Sequence, residues 1–279
     1  MRWSVGAGVC AAIGCGVVQG GTITLQCDKD ATLYETATGN LANGSGEYLF
    51  AGKTNTAGLR RALLHFNLGT SIPAGATINS ATLTLHLSKT ASDFQPAPLH
   101  RMLNQWSEGP SNPNGNEGQG TVSLTGDVTW IHRTYSSVLW ATPGGEFVSN
   151  PSAIGSVGFE NIAYSWSSPG MAADVAAWLA NPSTNFGWVL MGNETFDGGA
   201  KRFDSRSGPS ANRPTLTIVY TPAPVGDVTG DGIVNIDDLT AVILNWGNCP
   251  VSQPCGADLT HDGVVNIDDL SAVILSWSA

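Results

Sequence analysis

Basic residues are scarce in this chain. Lysine and arginine number 12 against 22 aspartates and glutamates, and none of the 12 lies between residues 226 and 279. That excludes the basic patch a nucleic-acid binder needs and leaves nothing to hold an anionic membrane. Charged residues of either sign make up only 12% of the sequence. Beyond residue 20, no segment is apolar for the roughly 18 consecutive positions that a membrane-spanning helix requires. The Gly-x-Ser-x-Gly nucleophile turn, the His-Glu-x-x-His zinc pair and the phosphate loop are all missing, so no local motif marks a catalytic centre. Cysteine is sparse as well. Five are present, and only Cys27, Cys249 and Cys255 lie beyond residue 20.

What is present begins with acid in one place. The net charge is −10, and residues 226–279 hold eight aspartates with no lysine or arginine. Those aspartates fall in two copies of one pattern, DVTGDGIVNIDD at 227–238 and DLTHDGVVNIDD at 258–269. Both copies have the spacing of an oxygen cage for a hard cation. Positions 1, 3 and 5 converge, position 7 offers a backbone carbonyl, position 9 reaches in directly or through water, and position 12 closes the shell. The expected ligands are Asp227, Thr229, Asp231, Ile233 through its carbonyl, Asn235 and Asp238. Their counterparts are Asp258, Thr260, Asp262, Val264 through its carbonyl, Asn266 and Asp269. Gly232 and Gly263 stand where such a loop bends sharply. The spacing predicts two calcium ions, and the clustered charge predicts a module that depends on them to fold.

An apolar stripe follows each loop. Leu239, Val242, Ile243 and Trp246 recur at helical spacing, as do Leu270, Val273, Ile274 and Trp277. Nothing helical precedes the first loop, where a Pro-rich linker at 222–225 leads in. Each unit is therefore loop then helix, unlike an EF-hand, which flanks its loop with two helices. Residues 226–279 resemble a type I dockerin. The resemblance implies two calcium ions, two antiparallel helices and a cohesin-like protein partner. Thr229 and Thr260 depart from the usual Asn or Asp at position 3. Ile236-Asp237 and Ile267-Asp268 replace the Ser/Thr pair that dockerins carry at positions 10 and 11. Cys249 and Cys255 flank the short connection between the two units, and a disulfide there would close a small loop. Cys27 has no evident partner.

Residues 1–20, MRWSVGAGVCAAIGCGVVQG, read as a signal peptide, which points to a secreted or cell-surface protein. Ala12-Ile13-Gly14-Cys15 keeps a lipoprotein anchor open as an alternative. Between 21 and 221, short β-like runs alternate with Gly/Asn/Pro/Ser turns. Residues 81–87 alternate Leu with Thr or His, the period of a strand with one buried face. One helix is expected over Met171–Ala180, with Ala172, Val175, Ala176 and Leu179 at helical spacing. Many strands, one helix and no β-α-β alternation predict a mainly β fold, an antiparallel jelly-roll-like β-sandwich with a small C-terminal helical calcium-binding domain.

Within 27–221, the run Arg60-Arg61-Ala-Leu-Leu-His-Phe-Asn-Leu and the stretch 71–85 resemble the opening of the DNRLRE family. Trp106-Ser-Glu-Gly, Thr129-Trp-Ile-His-Arg and Asn185-Phe-Gly-Trp-Val-Leu continue the likeness. That family is related to disaggregatase-related repeats and to a carbohydrate-binding module family. The resemblance implies a sandwich that recognises polysaccharide in some members. Trp106 and Trp130 are the expected stacking rings, with Glu108 and Arg133 as hydrogen-bonding partners. Trp178 and Trp188 are expected in the core. Two other classes stay open. One is a structural or adhesive surface protein. The other is a polysaccharide hydrolase or lyase drawing on Glu108, Asp127, Glu146, Glu160, Glu194, His100 or His132.

Overall fold

The computed structural model describes residues 20–56, 58–250 and 255–277. The segment read as a signal peptide lies outside them, apart from Gly20. The described chain falls into two compact units, Gly20–Thr221 and a C-terminal one from Pro222 onward. Among the described residues no helix is long and apolar enough to cross a membrane.

The first unit is built on eleven strands: β1 Gly21–Gln26, β2 Lys29–Tyr34, β3 Tyr48–Lys53, β4 Leu59–His65, β5 Thr77–Thr90, β6 Gln95–Arg101, β7 Ala153–Val157, β8 Ile162–Ser167, β9 Trp188–Leu190, β10 Lys201–Asp204 and β11 Thr215–Thr221. They form one hydrogen-bonded network in the order β1-β11-β5-β10-β3-β4-β9-β6-β7, with β8 on the free edge of β5 and β2 on that of β4. Every pairing is antiparallel. β3 joins the two halves, since it pairs with β10 on one side and with β4 on the other. The mainly β, antiparallel expectation holds at that level. The strands form two groups, β1-β11-β5-β10 with β8 and β4-β9-β6-β7 with β2, that are linked only through β3.

The Leu/Thr alternation of β5 works as its period requires. Ala81, Leu83, Leu85 and Leu87 are fully buried, while Thr82, Thr84 and His86 are only partly covered. These leucines share one core with Ala62 and Leu64 of β4, Leu99 of β6, Trp188 of β9 and Phe203 of β10. The adjacent Leu63 and Val189 point the other way, into a second core with Trp106, Trp130 and Trp140. β4 and β9 are thus apolar on both faces, which is why their sequences run hydrophobic without alternating.

One helix, α1 (Pro169–Ala180), packs on the first core. Ser168 caps it by accepting from the Met171 N–H, and Pro169 starts it. Its buried face is Met171, Val175 and Trp178. That stripe is rotated from the expected Ala172, Val175, Ala176 and Leu179, because the larger Met and Trp side chains fill the core. Trp178 meets Trp188 edge to face with ring centroids 4.5 Å apart. Cys27 is a buried core residue whose thiol donates to the Lys29 carbonyl at 3.3 Å.

The C-terminal unit has two helices, α2 (Ile236–Leu244) and α3 (Ile267–Leu275), and a two-residue antiparallel ladder, Gly247–Asn248 against Val264–Val265. Its core is small: Val234, Val242, Ala257, Val265 and Val273, with Leu239, Leu270 and the two cysteines packed around them. Cys249 and Cys255 are joined in a disulfide with their Cα atoms 5.6 Å apart. The expected apolar stripe divides. Val242 and Val273 are buried, whereas Ile243, Trp246, Ile274 and Trp277 face solvent.

Candidate functional site

The two acidic loops share most of their hydrogen-bond geometry. In the first, Asp227 Oδ1 accepts from the Gly230 and Asp231 N–H groups at 2.7 and 3.1 Å, and its Oδ2 accepts from Gly232 N–H at 2.8 Å. In the second, Asp258 accepts from Asp262 N–H at 3.2 Å and from Gly263 N–H at 2.9 Å. Asp231 accepts from Ile233 N–H, and Asp262 from Val264 N–H, both at 2.8 Å. These bonds wrap the backbone around the position-1 carboxylate. The wrap demands left-handed backbone at position 6, where Gly232 and Gly263 have φ of 87° and 88°. Position 4 is left-handed too. Gly230 meets that at φ 77°, while His261 meets it at φ 59° without glycine's freedom.

Asp238 and Asp269, at position 12, are fully buried. Asp238 Oδ1 accepts from the Thr229 N–H and hydroxyl, both at 2.9 Å, and Oδ2 accepts from Asn235 N–H at 2.8 Å. Asp269 does the same with Thr260, at 2.9 and 3.1 Å, and with Asn266, at 2.8 Å. Burial alone would raise both carboxyls, but the hydrogen bonds prevail and hold them below the ordinary carboxylate range. The same bonds complete a capping box on each helix, with Asn235 or Asn266 as N-cap and the position-12 aspartate as N3. Loop positions 9 and 12 are three apart, so one residue pair serves loop closure and helix start together. The Asn-Ile-Asp-Asp spelling announces that box, and the reading of the loops as cation cages overlooked it.

The donors fit a hard cation chemically, being carboxylate, hydroxyl, amide and carbonyl oxygens with no lysine or arginine in either loop. The three carboxylates of a loop do not gather within 4.8 Å of one another. Among the described residues the group that does is Cys249, Cys255 and Asp258, and its two sulfurs are spent on each other.

The residues expected to bind sugar sit differently. Their segments do lie side by side, since Ser107 N–H donates to the Arg133 carbonyl at 2.9 Å. Yet Trp106 is 1% exposed and Trp130 8%. The Lys29 ammonium covers the Trp106 ring at 4.1 Å, and the Arg61 guanidinium covers Trp130 at 4.8 Å. Both rings belong to the second core and offer no face for stacking. Glu108 is held by Arg206 through two bonds of 2.5 Å and accepts from Asp30 N–H. Arg133 reaches Asn104 at 3.5 Å.

Most of the carboxylates and histidines considered for catalysis are likewise engaged within the fold. Asp127 is fully buried on the Ser111 and Leu124 N–H groups. Glu194 pairs with Arg61 at 2.6 Å, and Glu146 accepts from Asn104. His100 bonds the Val148 carbonyl, and His132 bonds Thr129.

Comparison with known proteins bears on the C-terminal unit alone. Residues 225–275 match the family model described as the dockerin type I domain. The likeness of 27–221 to the DNRLRE family finds no support there. No curated protein matches the chain.

Proposed function

We propose that the protein is a secreted, non-catalytic, polysaccharide-binding component of a larger extracellular assembly, attached through a dockerin-type module that folds on two calcium ions. The match at 225–275 supports the attachment role. The observation that carries it is the pairing of two equivalent loop-helix repeats, each with an apolar surface left in solvent. Ile236, Ile243, Leu244 and Trp246 form one set, and Ile267, Ile274, Leu275 and Trp277 the other. A unit with so small a core does not leave that much apolar surface exposed without use. Calcium, when bound, supplies positive charge against eight aspartates and ties positions 1, 3, 5, 7, 9 and 12 of each loop together. Ile236 and Ile267 stand where dockerins carry hydroxyls, so the partner is a cohesin-type protein whose docking face is apolar at that point.

The test is retention of the full chain on a panel of immobilised cohesin modules, with calcium and then with chelator. The reading expects calcium-dependent retention on at least one, weakened by Ile243→Asp combined with Ile274→Asp. Retention that ignores both calcium and these substitutions would contradict it.

A further inference from the structure

Polysaccharide binding by the β-unit needs a surface, and the expected tryptophans do not supply one. A different place has the required features. Two adjoining hollows, of about 420 and about 830 Å³, share Asn55, Thr90, Ala91 and Gly198 as a common wall and so form one open groove. Phe159 and Phe196 line the larger hollow and are 66% and 47% exposed. The Phe159 ring is fixed in orientation by Phe94, which meets it edge to face at 5.1 Å and lies against Gly158. Asp93, Gln95 and Glu160 line the same hollow.

One wall is built at some cost. Lys201 is 2% exposed, and its ammonium donates to no carboxylate. It donates to the Thr90 hydroxyl at 2.6 Å, to the Ser92 carbonyl and hydroxyl at 2.8 and 3.1 Å, and to the Asp93 carbonyl at 2.9 Å. A buried cation spent wholly on one short loop fixes that loop before any ligand arrives, which lowers the cost of binding.

We propose that this groove is the polysaccharide site, with Phe159 and Phe196 stacking on sugar rings and Gln95, Asp93 and Glu160 meeting hydroxyls. The assignment rests on the polysaccharide-binding role proposed above and names its location. The ligand class is a neutral chain. No base lines the larger hollow, which repels a polyanion; in the smaller one Lys201 is caged and the Arg202 guanidinium lies on the Tyr48 ring at 3.8 Å, which leaves Lys89 as its exposed cation. Asp93 and Glu160 leave the larger hollow acidic. Both hollows are open to solvent, as binding a segment of a polymer requires.

The test is native affinity electrophoresis of the full chain in gels containing xyloglucan, galactomannan, mixed-linkage β-glucan or pectate. At least one neutral polymer should retard the wild type. Phe159→Ala and Phe196→Ala should each weaken that retardation about fivefold, Phe159→Tyr should restore it, and the melting temperature should not move. Retardation unchanged in both alanine variants overturns the groove and leaves polysaccharide binding standing. Pectate as the strongest ligand overturns the neutral class. Retardation by none of the four removes the polysaccharide reading, and the groove assignment with it.

Discussion

Asp238→Asn changes one atom and separates the two roles of position 12. The wild-type carboxylate accepts three hydrogen bonds at a site with no solvent exposure, two from Thr229 and one from Asn235 N–H. Asparagine has a single carbonyl oxygen. If that oxygen faces Thr229, the amide NH2 confronts the Asn235 N–H and the capping box opens. A buried donor left unmade costs about 1–3 kcal/mol. The loop also loses one of its three carboxylates, which weakens a calcium site further. Calorimetric titration of the full chain should therefore fall from about two ions to about one, with a partial loss of helix by circular dichroism. Asp269→Asn must do the same, because its bonds match those of Asp238 to within 0.2 Å. The double variant should bind no calcium. Two undiminished ions in Asp238→Asn would refute the assignment of position 12 as a ligand. Markedly different effects of the two single variants would refute the equivalence of the loops.

Two further outcomes follow from single residues. Burial, with Glu108 close by, pushes the Asp30 carboxyl up to about 7 against the pull of the Arg206 N–H. The folded chain therefore holds a proton that the unfolded chain has lost, from about pH 4 upward, and stability falls as pH rises to about 7 by up to about 4 kcal/mol. Asp30→Asn keeps an acceptor for Arg206, so denaturant unfolding should show it more stable than wild type near pH 8 and level with it near pH 4. A variant equally affected at both would contradict this. His261→Gly should stabilise the C-terminal unit by about 1 kcal/mol, because it removes a side chain from left-handed backbone. A lowered melting temperature would show that the His261 bond to the Leu259 carbonyl outweighs that strain.

The parts legible in the sequence were those set by local spacing. The twelve-position loops, the Leu/Thr period of β5 and the proximity of Cys249 to Cys255 all lie within short stretches. The parts that were not legible depend on distant segments. Trp106 and Trp130 stand beside polar residues in sequence, yet residues far along the chain cover them: Lys29 reaches the first and Arg61 the second. The split stripe of α2 has a similar origin. A nine-residue helix over a five-residue core buries Val242 and leaves Ile243 outside. The groove at Phe159 and Phe196 was invisible because five separated segments build it, and Lys201 lies far along the chain from the loop at 90–93 that it fixes.

The most direct measurement is a calcium titration of the full chain, first stripped by chelator, with heat and far-ultraviolet circular dichroism followed together. A stoichiometry near two and a gain of helix are expected, because eight uncompensated aspartates repel one another until the ions close the loops. Unchanged dichroism with no binding heat would contradict it.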